Sequence, residues 1–285
     1  MNQRELDLEI KRILVALDAS RHSISALEAA IALAARLQAE LRGVFIEDPT
    51  VRRLADTDLV DEFGIFSGLG RRLDREALNR QLRGQAGKVR RYFRFTTEQA
   101  DIRCTYREVQ GEVTDEVLSE AADCDVVILG KGAWSAVETG RLAPEVRKVL
   151  SQLGSSALIL QAGTRPQLPL LVLYDGSPEG DLALASARAL AEGDEEDRIV
   201  SVLLLADDAH SARSLQEHAE ERLQPGDFEV SYRRISEKNL ARLPALVNRE
   251  GYHLVVIPAL SGEKEDLIDL LEEIKRPVLL IRRED

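Results

Sequence analysis

Apolar residues fall along this chain in two alternating rhythms. Short runs rich in Val, Ile and Leu at Arg12–Leu17, 41–46, 104–109, 125–130 and 157–161 predict strands of a parallel sheet buried on both faces. Between them the apolar positions recur at helical spacing. Ile24, Leu27, Ile31, Ala34 and Ala35 mark an Ala-rich helix over 23–38. Val113, Val117 and Leu118 mark one over 112–121, and Val146, Val149 and Leu153 another over 145–153.

The second half of the chain repeats this order. Leu170–Tyr174 answers Arg12–Leu17, and each run ends in an Asp followed by small polar residues, Asp18-Ala19-Ser20 and Asp175-Gly176-Ser177. The later runs at 198–205, Glu229–Ile235, 253–257 and 277–281 answer the remaining strands in turn. Pro166 and Pro169 make 163–169 a linker. Strands alternating with helices predict right-handed βα units. The expected fold is therefore α/β: two tandem doubly wound domains, 1–163 and 164–285, each with a five-stranded, mostly parallel sheet flanked by helices.

The two copies differ in length. Between the second and third strands the first has 49–102, 54 residues, where the second has 209–227, only 19. A structureless loop of 54 residues is improbable in a compact domain. Ala77, Leu78, Leu82, Ala86, Val89 and Phe93 predict a helix in this insert, and 51–69 reads as an irregular surface excursion.

The order of these segments, met twice, is similar to that of the universal stress protein family. The resemblance rests on Ile13-Leu14-Val15-Ala16-Leu17-Asp18-Ala19-Ser20 with Ser23, on its echo Leu171-Val172-Leu173-Tyr174-Asp175-Gly176-Ser177, and on the runs Cys124-Asp125-Val126-Val127-Ile128-Leu129-Gly130 and Pro277-Val278-Leu279-Leu280-Ile281. It implies domains that pair through their last strand, and for one branch an ATP site. In that branch the Asp ending the first strand touches the nucleoside, an apolar residue of the second strand touches adenine, and a glycine motif after strand four holds the phosphates. Carried onto this chain, the candidate nucleotide-binding residues are Asp18, Val44, Leu129, Gly130 and Lys131, with Lys131 or an arginine of the insert substituting for lost backbone donors.

The phosphate motif is degenerate. Its glycine nest and final Gly-Ser or Gly-Thr would fall at Gly130, Ala133, Ala143 and Pro144, and only the first matches. Side chains at 133 and 143 hinder close approach, and Pro144 offers neither N–H nor hydroxyl but starts a helix well. In the second copy Pro258-Ala259 stand where Leu129-Gly130 stand, and Glu263, Glu265, Asp266 and Asp269 follow, which would repel a triphosphate.

Charge adds a second asymmetry. The chain carries net −12, which argues against wholesale binding of nucleic acid or anionic membrane. Residues 1–164 hold 23 Lys/Arg against 25 Asp/Glu, whereas 165–285 hold 15 against 25. Residues 71–94 of the insert hold nine Lys/Arg against Asp74 and Glu76, read as a solvated face, a face toward the acidic second half, or a docking surface for an acidic partner or RNA.

No apolar run approaches the roughly 20 residues of a membrane span, and the start of the sequence has no secretory pattern, so the expected location is cytoplasmic. The four histidines lack zinc-like spacing, with His210 and His218 expected at the surface, and Cys104 and Cys124 are expected as buried packing residues. No catalytic constellation stands out. The sequence thus points to a non-enzymatic stress-response protein acting through protein contacts or self-association, such as a dimer, with no obligate cofactor. The alternatives are an adenine-nucleotide sensor using the first domain, and a scaffold whose basic insert docks a partner.

Overall fold

A computed structural model describes residues 10–47, 61–63, 70–72, 75–134, 141–192, 199–224, 228–260 and 264–283. The predicted excursion over 51–69 lies largely outside them. Its described part, β3 (Asp61–Phe63), pairs antiparallel with β4 (Gly70–Arg72) in a small separate sheet.

Among the described residues the other ten strands form one continuous sheet. In the first half, β1 (Arg12–Leu17), β2 (Glu40–Glu47), β5 (Cys104–Gln110), β6 (Val126–Gly130) and β7 (Ser156–Leu160) lie in the order β5-β2-β1-β6-β7. In the second, β8 (Leu170–Tyr174), β9 (Ile199–Leu205), β10 (Glu229–Ile235), β11 (Leu254–Pro258) and β12 (Val278–Ile281) lie in the order β10-β9-β8-β11-β12. Each half therefore has its third, second, first, fourth and fifth strands side by side, all parallel, as βα units require. The halves join where β7 and β12 pair antiparallel, with Leu158 opposite Leu279.

Two helical layers cover the sheet. One holds α1 (Arg21–Leu37), α2 (Arg75–Gln99), α5 (Pro178–Glu192) and α6 (Ala209–Leu223), packed on Ile13, Val15, Leu170, Val172 and Leu204. The opposite layer holds α3 (Val113–Ala121), α4 (Pro144–Gln152), α7 (Leu243–Arg249) and α8 (Lys264–Glu273), packed on Leu14, Val44, Val127 and Val255. Inner strands β6, β7, β8, β11 and β12 are buried along their whole length, which explains their unbroken apolar runs.

Local signals set the helix ends. Ser20 caps α1 by accepting the Ser23 N–H, and Gln38 ends it in the left-handed region. Asp208 caps α6 through the N–H groups of His210 and Ser211. Pro144 opens α4, where its missing N–H costs nothing. The insert helix α2 lies over β2 and β5, fixed by buried Phe93. Gly43 on β2 makes room for that ring, since a Cβ there would come within 2.4 Å of it. Helix α2 therefore covers the first-half end of the sheet.

Two expectations are corrected. Cys104 is exposed, because β5 is an edge strand whose residues are mostly open to solvent; Cys124 is buried as expected. In the second half the hydrogen bond from Ala259 N–H to Ile281 O repeats that from Lys131 N–H to Leu160 O. Pro258, not Ala259, therefore takes the place of Gly130. Among the described residues no helix is long and apolar enough to cross a membrane.

Candidate functional site

In open α/β sheets ligands bind beyond the carboxyl ends of the strands, where the strand order reverses. In the first half that point lies between β1 and β6, and it gathers Asp18, His22, Gly130, Gly132 and Trp134. Asp18 follows β1, and both of its carboxylate oxygens are engaged by the chain. One accepts the Ser20 N–H at 2.9 Å and the other the Trp134 N–H at 2.5 Å. The Asp18 N–H in turn donates to Ser23 Oγ at 2.7 Å. The carboxylate thus ties the loop after β6 to the start of α1, and Trp134 is held there at φ 60°.

His22, in the first turn of α1, lies against this loop. A Cβ at Gly130 would stand 2.7 Å from the His22 backbone carbon, and one at Gly132 would stand 2.7 Å from its Nε2. The two glycines are needed for this close approach. His22 Nδ1 accepts the Ala162 N–H at 3.2 Å, so in the neutral ring Nε2 carries the proton. Two donors of this loop are engaged as well: Ala133 N–H bonds Gly130 O, and Ala143 N–H bonds Lys131 O.

The remaining candidates sit apart from solvent. Val44 and Leu129 are fully buried in the core beneath α3 and α4. Lys131 is buried too, and its ammonium reaches across to the second half, donating to Glu272 O at 2.6 Å, Ile274 O at 2.9 Å and Leu271 O at 3.4 Å. These are the end carbonyls of α8, which lack helical partners and attract a cation. Burial pushes the Lys131 pKa down to about 8, with Glu272 acting in the opposite direction.

Arg282 answers from the other side. Its Nη1 donates to Leu150 O at 2.8 Å and Leu153 O at 2.5 Å, at the end of α4. Its backbone N–H also bonds Ser156 Oγ. Arg147 completes the clasp by pairing with Asp269 and Glu272. The sequence reading missed both His22 and Arg282. The spacing Gly130-x-Gly132 was the available sign of a close approach at the first; nothing local marked the second.

A cavity of about 390 Å³ opens on the other side of Asp18, between α1 and α2. It is lined by Leu17, Asp18 and Ile24 together with Gln85, Lys88 and Tyr92. In the second half, Asp175 is engaged locally by the N–H and hydroxyl of Ser177, and Pro258 replaces the glycine.

The sequence model of the universal stress protein family matches residues 9–160, more than half of the chain and the whole of its first five-stranded unit. The chain belongs to the universal stress protein family. Solved structures extend the likeness in fold to both halves. A universal stress protein from Archaeoglobus fulgidus superposes with a TM-score of 0.66 at 16% identity, covering 95% of this chain and 98% of that one. A protein of unknown function from Pseudomonas aeruginosa PAO1 gives 0.59 at 14% identity, with 98% and 95% covered. A putative universal stress protein from Pseudomonas aeruginosa UCBPP-PA14 gives 0.55 at 15% identity, with the same coverage. No curated protein sequence matches significantly.

Proposed function

We propose that this chain is a non-enzymatic, tandem member of the universal stress protein family that regulates through protein contacts, its first-half crevice being closed by its own residues. The observation that carries this reading is the double engagement of the Asp18 carboxylate by Ser20 and Trp134. His22 on Gly130 and Gly132 supports it, because the close approach that glycines offer a phosphate is taken by an imidazole. The spent donors at Ala133 and Ala143 and the commitment of Lys131 to α8 point the same way.

The test is to denature freshly purified protein and look for released nucleotide by mass spectrometry, followed by calorimetry with added ATP. An empty protein that ignores ATP supports the proposal. A stoichiometric adenine nucleotide overturns it.

A second reading is favoured by the cavity beside Asp18, whose volume falls within the range of small-molecule pockets, about 300–1,000 Å³. There the first half is an adenine-nucleotide sensor, and Lys88 of the insert supplies the cation expected of an arginine. Asp18→Ala would then weaken nucleotide binding while Asp175→Ala leaves it unchanged. Equal effects of the two substitutions count against this reading.

A further inference from the structure

The β7–β12 pairing uses the last strand of each half inside the chain, so any association between copies must use another surface. The helical layer of α1, α2, α5 and α6 has the properties of one. Its two outer helices, α2 and α6, occupy the same connection in their respective halves, between the second and third strands, at opposite ends of the sheet. They carry opposite charge. From 75 to 99 there are seven Lys/Arg against two Glu, whereas 207–223 has two Arg against three Glu and two Asp.

Three exposed cations of α2 and three exposed anions of α6 have no ion-pair partner among the described residues. On α2 they are Lys88, Arg91 and Arg94, and on α6 they are Glu217, Glu220 and Glu221. Arg90 of α2 is already paired with Glu108, and Arg222 of α6 with Asp181. Between these charged ends the layer mixes apolar surface with Glu28, Arg36 and Arg165, of which Glu28 pairs with Arg165. Ile24 of α1 and Phe95 of α2 are 42% and 59% exposed, and a groove of about 450 Å³ runs between α1, α5 and the linker over Leu158 and Leu279.

We infer that this layer is the interface of a homodimer, in which two copies face each other so that α2 of one lies against α6 of its partner. A two-fold axis parallel to the strands brings basic ends onto acidic ends at both contacts. A two-fold axis across the strands would set α2 against α2, and like charges forbid it. Ile24, Phe95 and the alanines and leucines of the groove supply apolar area to be buried, and the unpaired charges of α2 and α6 fix the orientation.

The test uses the full chain in sedimentation velocity, with melting temperature as the check on folding. Wild type is expected to dimerise, with affinity falling about tenfold or more between roughly 50 mM and 500 mM salt. K88E/R91E/R94E and, separately, E217K/E220K/E221K should each be monomeric at concentrations where wild type is a dimer. Mixing the two variants should restore a dimer, because one of the two contacts regains its complementary charges while the other is complementary with its signs exchanged. A monomeric wild type overturns the inference. So does a dimer that survives either set of reversals, which would place association at the sheet edges, or a mixture that fails to associate.

Discussion

Lys131→Met removes one amine and nothing else of comparable size, and it tests how the two halves are held together. Two effects oppose each other. A folded-state pKa near 8 against the ordinary 10.5, set mainly by burial with Glu272 opposing, disfavours the charged amine relative to the neutral one by about 3 kcal/mol. Against this stand two short charge-assisted hydrogen bonds to Glu272 O and Ile274 O, each contributing about 1.5–3 kcal/mol, while the contact to Leu271 O at 3.4 Å adds little. Methionine relieves the desolvation but leaves the end of α8 without donors. The bonds win by a small margin, and the expected loss is about 2 kcal/mol, or about 4 °C in melting temperature for a chain of this size.

The pH dependence separates the two effects. Between pH 8 and 10.5 the unfolded chain keeps a proton on Lys131 that the folded chain has released, so stability from this group rises with pH. Wild type should therefore gain on Lys131→Met as pH is raised through this window, and the comparison cancels groups common to both proteins. Urea denaturation of both at neutral pH and near pH 10 measures it. A gap that stays constant with pH, or a variant as stable as wild type at neutral pH, would refute the reasoning.

Two further outcomes follow from packing and burial. Gly130→Ala pushes a methyl into the His22 backbone at 2.7–2.8 Å and should cost about 1–3 kcal/mol in urea denaturation; an unchanged midpoint would show that His22 does not pack there. Under native conditions a thiol reagent should modify Cys104 readily. Cys124 should react only on unfolding, because it is buried and desolvation raises its pKa to about 11, so modification of both thiols in the native protein would contradict the fold.

Much of the fold was legible because its strands are buried on both faces. Val126–Gly130 and Leu170–Tyr174 could not be written in polar residues without stranding them in the core. The helix in the insert was legible from its stripe, ending at Phe93, which the structure buries against Gly43. Cys104 was misread because an edge strand is exposed by its position in the sheet, not by its composition. The site was harder to read. Sequence pattern brought Asp18 and Gly130 to the crevice, but the occupation of that crevice by His22 depends on how α1 crosses the loop. The direction of Lys131 depends on the β7–β12 pairing, which joins residues more than a hundred positions apart.

That pairing has a consequence for how the halves can change. Partners joined by a linker meet at an effective concentration in the millimolar range, so a seam too weak to hold two separate chains can stay closed here. In a symmetric dimer every substitution enters both sides of the contact at once. In this chain each side is written independently, and so a lysine closes one helix end while an arginine closes the other. The same independence lets the first half keep Gly130 under His22 while the second sets Pro258 in its place. Joining the two halves in one chain makes specialisation of one half compatible with the integrity of the pair.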